Sequence, residues 1–190
     1  MIDLAFIFVS ALVINNFVLA YFLGLCPFLG VSSRVDTALR LGLATTFVML
    51  VASAAAWALN TFVLEEAPYL RVISFIVVIA SMVQIVELLI KKTSPTLFRE
   101  LGIYLPLITT NCAILGLAIF QTNRAYNFAQ GFTFAVGAGL GFTMVMILMA
   151  SIRVQTELAR VPVLLKGPAL VFLLAATLSM AFMGFAGLFS

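Results

Sequence analysis

Two cysteines are the residues of this chain with the clearest capacity for chemistry. Cys26 and Cys112 are the only cysteines among 190 residues, and each lies in an apolar segment interrupted by proline, glycine or asparagine. Thiolates ligate soft metal centres, but two thiolates are half of the four that usually hold an iron–sulfur cluster. Metal ligation by this pair therefore requires two further ligands from a second chain. The alternatives are inert buried thiols or, less favoured because neither cysteine lies in an obviously oxidising loop, a disulfide.

Histidine is absent from the sequence. His-ligated haem, His-based zinc sites, a Ser-His-Asp triad and an imidazole proton relay are therefore excluded within this chain. The ten Lys and Arg residues are scattered rather than gathered into a patch, so the net charge of +3 does not indicate a nucleic-acid partner.

The composition indicates a chain that lies in a lipid bilayer. Apolar residues make up 64% and charged residues 9% of the sequence, and the mean hydropathy is +1.24. Soluble domains are about half apolar and about a quarter charged. Since a membrane-crossing helix needs roughly 20 apolar residues, we predict six transmembrane helices in a single all-α membrane domain over 1–190. The predicted spans are 4–28, 39–62, 70–90, 101–120, 128–150 and 168–188.

Positive charges are divided unequally between the two sides of these spans. One side receives eight Lys and Arg residues and the other receives two, Arg71 and Arg124. The excess of Lys and Arg marks the cytoplasmic side, so both termini are predicted to be periplasmic. The eight are Arg34, Arg40, Lys91, Lys92, Arg99, Arg153, Arg160 and Lys166.

The two halves of the chain resemble each other. The matching pairs, at offsets of 95, 97 and 98, are 16–19 with 111–114, 42–49 with 139–146, and 81–82 with 179–180. We predict repeat one over about 1–92 and repeat two over about 96–190. Because three spans per repeat is an odd number, the second repeat enters the membrane from the opposite face, which gives an inverted-topology 3+3 fold. Such folds place their working site near the midplane at the repeat interface.

The first and fourth spans are predicted to be broken helices. At about 1.5 Å per residue, Cys112 would lie roughly 17 Å into a straight fourth span, whereas Cys26 would lie about 33 Å into a straight first span. One cluster can therefore reach both only if the helices are interrupted, and we expect the breaks at 24–30 and at Pro106. The asparagines of these spans are expected to bond across helices.

Two carboxylates lie near apolar spans and are candidates for carrying an ion. Asp3 is placed more simply at the outer interface, and Glu87 pairs favourably with Lys91 one turn later. An interfacial position is therefore favoured over an ion-carrying role for both.

Segments 15–19, 22–32 and 101–113 closely resemble the RnfA/NqrE family of membrane subunits, and the resemblance extends over the whole chain. It implies a subunit of a bacterial inner-membrane complex that couples electron transfer between NADH and ferredoxin to sodium or proton translocation. It also implies that Cys26 and Cys112 supply two ligands of an intramembrane iron–sulfur cluster, [2Fe-2S] in form. An RnfE-like inverted paralogue would supply the other two ligands. Flavins are expected on other subunits only, and no complete active site lies in this chain alone.

Three other functions stay open from the sequence. An NqrE-like subunit of a sodium-pumping NADH:quinone reductase would share the family features. A secondary transporter for a small solute would share the repeat, but it would need more polar ligands at the midplane than this chain offers. A purely structural scaffold subunit would share the hydropathy but would have no use for paired cysteines in broken helices.

Overall fold

The computed structural model describes residues 2–31, 34–62, 68–93, 105–158 and 167–185, and all regular structure within these ranges is helical. The α-helices in chain order are α1 (Ile2–Val9), α2 (Phe17–Tyr21), α3 (Leu25–Val31), α4 (Val35–Phe62), α5 (Arg71–Thr93), α6 (Leu105–Thr109), α7 (Cys112–Asn123), α8 (Phe128–Leu158) and α9 (Pro168–Met183). A π-helical turn, Ser10–Ile14, extends α1, and a 3-10 turn, Pro68–Leu70, precedes α5. The predicted all-α fold class is confirmed.

Within the described ranges, the six predicted spans correspond to three long helices and three shorter apolar stretches. Helices α4, α5 and α8 are long and apolar enough to cross a membrane. The shorter stretches are Leu4–Ile14, Leu107–Asn123 and Ala169–Met183. Helix α8 is the most deeply buried of the long helices, whereas α5 is the least buried, exposes seven large apolar side chains and lies at the edge of the bundle.

Helices α4 and α8 form the centre of the bundle through a reciprocal contact of glycines and threonines. A β-carbon built on Gly42 would lie 2.6 Å from Thr143 Cγ2, and one built on Gly139 would lie 2.6 Å from Thr46 Cγ2. The two threonine hydroxyl oxygens are 3.3 Å apart. Since Gly42 and Thr46 align with Gly139 and Thr143 in the predicted repeat, the contact is the one expected at a pseudo-twofold axis. It supports the inverted 3+3 arrangement, whose repeat boundaries stay a prediction.

The first predicted span is interrupted at two places. The π-helical turn ends at Asn15, and Asn16 adopts an extended conformation before α2 begins. The chain breaks again after α2, where Phe22 and Gly24 have φ values of 55° and 84°. The expected break at 24–30 is therefore displaced, because α3 runs through Pro27 and Gly30. Pro27 is accommodated because it lies in the first turn of α3, where a backbone N–H has no partner within the helix.

The described part of the fourth predicted span is interrupted at Thr110 and Asn111, between α6 and α7. The break expected at Pro106 is not found there, since Pro106 is the second residue of α6. Pro106 is tolerated there for the same reason as Pro27, because a backbone N–H in the first turn of a helix has no partner within the helix. Residues 101–104, at the start of this predicted span, lie outside the described residues.

Two hydrogen bonds between elements show which helix ends are neighbours. Arg71 Nη1, at the start of α5, donates to Asn123 Oδ1 at the end of α7 over 3.2 Å. Arg153 Nη1, near the end of α8, donates to the Leu29 carbonyl of α3 over 3.3 Å. Both neighbourhoods fit the grouping from the charge count, in which Arg71 shares a side with Arg124. Which side faces the cytoplasm stays a prediction.

Candidate functional site

The second interruption of the first span, at Phe22 to Gly24, lies directly against the interruption of the fourth span at Thr110 and Asn111. A β-carbon built on Gly24 would lie 3.2 Å from Asn111 Oδ1 and 3.4 Å from the Ala113 β-carbon. Because Gly24 has no side chain, the turn between α2 and α3 approaches the start of α7 this closely. Helix α3 continues alongside α6, where a β-carbon on Gly30 would lie 3.7 Å from Leu107 Cδ1. The broken parts of the first and fourth spans therefore form one site.

Both cysteines belong to this site. Cys26 is the second residue of α3 and follows Gly24 by two positions. Cys112 is the first residue of α7, between the two residues that Gly24 approaches. Both are free thiols and both are exposed on the surface of the chain. Neither thiol is buried in this chain's own core or paired with the other, and their role as ligands stays a prediction.

The site offers two thiol ligands and no complete metal centre. No group of three or more His, Cys, Asp or Glu residues lies together anywhere in the described ranges. Exposed thiols at the surface of a membrane-embedded chain are accessible to a second protein. A centre with four thiolate ligands at this position would therefore require two from another chain.

Asn16, at the first break of the first span, and Asn111, at the break of the fourth span, have equivalent roles. Asn16 Oδ1 accepts the Val18 N–H over 3.0 Å, and Asn111 Oδ1 accepts the Ala113 N–H over 3.0 Å. Each side chain thus caps the helix that begins after the break. The expectation that these asparagines bond across helices is wrong, because each interruption exposes N–H groups nearby that the side chain satisfies.

Asn15 belongs to a separate polar cluster on the first span. Its Nδ2 donates to Ser10 Oγ over 2.8 Å, and the Tyr21 hydroxyl donates to Asn15 Oδ1 over 3.3 Å. These groups line a cavity of about 580 Å³ that also touches Arg124 and Ser179. The cavity does not include either cysteine. It reaches the first break from the side of the molecule that holds Arg124.

A buried polar pair joins α4 to α7 and was not predicted from the sequence. Ser53 Oγ donates to Gln121 Oε1 over 2.7 Å, and Gln121 Nε2 donates to the Ser53 carbonyl over 3.2 Å. Both residues are buried, with 2% and 3% of their surface exposed. A glutamine in an apolar run was the only available signal, and it does not reveal its partner. The pair fixes α7, and hence Cys112, against the central helix α4.

The two carboxylate candidates lie outside this site. Asp3 is part of α1, and Glu87 is a half-buried residue of α5, one turn before Lys91. The interfacial position expected for both stays a prediction.

The fold and site define an all-helical membrane protein with two interrupted helices whose cysteine-bearing segments meet. The chain belongs to the Rnf-Nqr family, whose model, described as "Rnf-Nqr subunit, membrane protein", matches residues 4–189. The predicted family membership is thereby confirmed.

Full-length relatives are about half identical to this chain. A protein of Proteus mirabilis is 50% identical over 190 residues, covering 99% of this chain and 98% of its own length. A protein of Photorhabdus laumondii is 51% identical with the same coverage. A protein of Syntrophotalea carbinolica is 50% identical over 188 residues, covering 98% and 97%. All three are named as the A component of an "Ion-translocating oxidoreductase complex".

Proposed function

We propose that this chain is the A component of a redox-driven ion-translocating complex and that Cys26 and Cys112 are ligands of an iron–sulfur cluster within the membrane. The names of the full-length relatives support the first part. The observation that supports the second is the meeting of Gly24 with Asn111 and Ala113, which brings the two cysteine-bearing segments together.

The donor set fits such a cluster. Thiolates are the usual ligands of iron–sulfur clusters, and both thiols are free and exposed. The side-chain nitrogen of Asn111, next to Cys112, is buried and has no hydrogen-bond partner in the described part of the chain. The site thus combines two soft ligands with an unused donor, as expected where sulfur ligands bind. Cys26 and Cys112 would hold the cluster, which would supply one-electron transfer.

The second pair of ligands comes, in this proposal, from an inverted paralogue of the RnfE type. The exposed cysteines lie at a surface that a second membrane protein can cover. Flavins and the nicotinamide site are assigned to other subunits of the complex. The complex is assigned to the bacterial inner membrane, with both termini of this chain periplasmic, as the distribution of Lys and Arg favours.

The broken helices provide a means of coupling electron transfer to ion movement. A low-dielectric site disfavours added negative charge unless a cation approaches or the surrounding dipoles reorient. The backbone departs from helical geometry at Asn15, at Phe22 and Gly24, and at Asn111. In this proposal these points act as hinges for α2, α3 and the start of α7. We infer that these segments rearrange with the charge at Cys26 and Cys112 and expose the site to one side of the membrane at a time.

The redox partners are NADH and ferredoxin, and the ion is sodium or a proton. An NqrE-like role in a quinone-reducing complex is the alternative within the same family. The names of the relatives favour the ion-translocating oxidoreductase. A solute transporter and a structural scaffold are not favoured by any described contact.

Turnover of the intact complex tests this proposal. Cys26→Ala and Cys112→Ala should each reduce electron transfer between NADH and ferredoxin, and the ion uptake by membrane vesicles that is coupled to it, to background, with the other subunits still assembled. Ser81→Ala is the matched control, since Ser81 is an exposed residue of α5 whose hydroxyl bonds only within its own helix. Full turnover in either cysteine variant would show that the thiols have no role in electron transfer.

A further inference from the structure

The side-chain amide of Asn111 forms a hydrogen bond through its oxygen but none through its nitrogen in the described part of the chain. Its Oδ1 accepts the Ala113 N–H over 3.0 Å, which fixes the orientation of the amide because only the oxygen can accept. Its Nδ2 is buried and has no hydrogen-bond partner in the ranges that the structure describes. Buried donors without an acceptor are rare in folded proteins, and each calls for an explanation such as a bound group.

Asn16, the equivalent residue of the first repeat, forms hydrogen bonds through both the oxygen and the nitrogen of its side-chain amide. Asn16 caps α2 in the same way, and its Nδ2 donates to the Leu12 carbonyl over 3.2 Å. Asn16 and Asn111 are both buried, with 1% and 4% of their surface exposed. The two asparagines therefore differ in one respect, which is that only Asn111 keeps a donor without a partner among the described residues.

The unused donor lies where the cysteine segments meet. Asn111 immediately precedes Cys112, and its Oδ1 would be 3.2 Å from a β-carbon on Gly24, two residues before Cys26. No cysteine is adjacent to Asn16, which is followed by the buried Phe17. The unused donor is thus found on the capping asparagine that precedes a cysteine and is missing from the one that does not.

We propose that Asn111 is a positioning residue that donates an N–H···S hydrogen bond from Nδ2 to a sulfur atom held by Cys26 and Cys112. Thiolate and cluster sulfurs carry negative charge and accept hydrogen bonds, and these bonds help to set the reduction potential. The bond stabilises the reduced state because that state carries more negative charge. This inference rests on the proposed function and adds to it the residue that raises the potential.

The test compares the midpoint potential of the intact complex with that of two serine variants. Asn111→Ser keeps a side-chain oxygen that caps α7 but removes the amide donor. It should lower the equilibrium constant for one-electron reduction about tenfold, a shift of about 59 mV to lower potential, with the iron content unchanged. Asn16→Ser is the matched control and should leave the potential unchanged. An unchanged potential in Asn111→Ser, or an equal shift in both variants, would overturn the inference.

A measurement on the unsubstituted chain applies even where the serine variant fails to assemble. Asparagine labelled with ¹⁵N at the side-chain nitrogen should give a ¹⁵N hyperfine coupling to the reduced cluster in pulsed EPR of the complex. That coupling should persist in Asn16→Ser, and its absence from the unsubstituted complex would overturn the inference. Failure of the proposed function is recognised separately, because Cys26→Ala and Cys112→Ala would then leave the spectrum unchanged.

Discussion

The hydroxyl oxygens of Thr46 and Thr143 lie 3.3 Å apart where α4 crosses α8. Each hydroxyl also donates to a glycine carbonyl four residues earlier in its own helix, Gly42 for Thr46 and Gly139 for Thr143. Each glycine in turn provides the space that the opposite threonine occupies. Two helices from different halves of the chain thus present the same four-residue pattern to each other, as an inverted repeat requires.

Substitution of either glycine at this crossing should destabilise the bundle. Gly42→Ala and Gly139→Ala each place a methyl group within 2.6 Å of a threonine, so we expect each to lower the free energy of unfolding by about 1–3 kcal/mol. Thermal unfolding of the detergent-solubilised chain measures this. Gly30→Ala is the control, since its β-carbon would have ordinary contact at 3.7 Å. Equal stability of Gly42→Ala and Gly30→Ala would contradict the close crossing.

The turn at Gly24 should be specific for glycine. Its φ of 84° disfavours a residue with a side chain, and a β-carbon would lie 2.8 Å from Phe142 Cε2. We expect Gly24→Ala to displace the turn from Asn111. The iron content of the assembled complex and the thermal stability of the chain should both fall. Gly30→Ala, four positions beyond Cys26, should retain both. Normal iron content in Gly24→Ala would show that the cluster does not require the break at Gly24 to contact the break at Asn111.

The Ser53–Gln121 pair should contribute to stability through its burial. Gln121→Leu leaves the Ser53 hydroxyl without its partner and should cost about 1–3 kcal/mol. Adding Ser53→Ala should recover part of that loss, because both polar groups are then removed. Gln155→Leu, at an exposed position of α8, is the control. A double variant as unstable as the sum of the single variants would show that the two residues act independently.

The orientation predicted from the positive charges can be tested by thiol labelling. In a chain that lacks Cys26 and Cys112, a membrane-impermeant maleimide added to intact cells stripped of their outer membrane should label Arg124→Cys. It should label Lys92→Cys only after the cells are broken, because the side with more Lys and Arg is cytoplasmic. Both original residues are exposed in the structure, so accessibility within the chain does not limit either reaction. The reverse pattern would invert the topology.

The class of fold was predictable from the sequence, because hydropathy, turn residues and charge each constrain where a membrane helix begins and ends. The existence of breaks in the first and fourth spans was likewise indicated by the glycines, prolines and asparagines there. Their positions were not. Pro27 and Pro106 each lie in the first turn of a helix, where proline is compatible with helical geometry, and the breaks fall instead beside Asn16, Gly24 and Asn111.

The contacts of the site could not be predicted from the sequence, for a different reason. The residues that each span presents to its neighbours depend on how the helices rotate and cross, which hydropathy does not encode. Ser53 and Gln121 are 68 positions apart, and neither has a pattern that identifies the other. The difference between Asn16 and Asn111 is similarly invisible in the sequence, since both precede an apolar helix and only the structure shows which amide keeps an unused donor.

The central claim is that Cys26 and Cys112 ligate one cluster shared with a second membrane protein of the complex. Its most direct test is iron and acid-labile sulfide analysis, with low-temperature EPR after dithionite reduction, on the anaerobically purified complex. The unsubstituted complex, Cys26→Ala, Cys112→Ala and the Ser81→Ala control are compared. Each cysteine variant should lose the same single cluster signal, while the other subunits and the control spectrum are retained. Unchanged iron and unchanged spectra in both cysteine variants would contradict it.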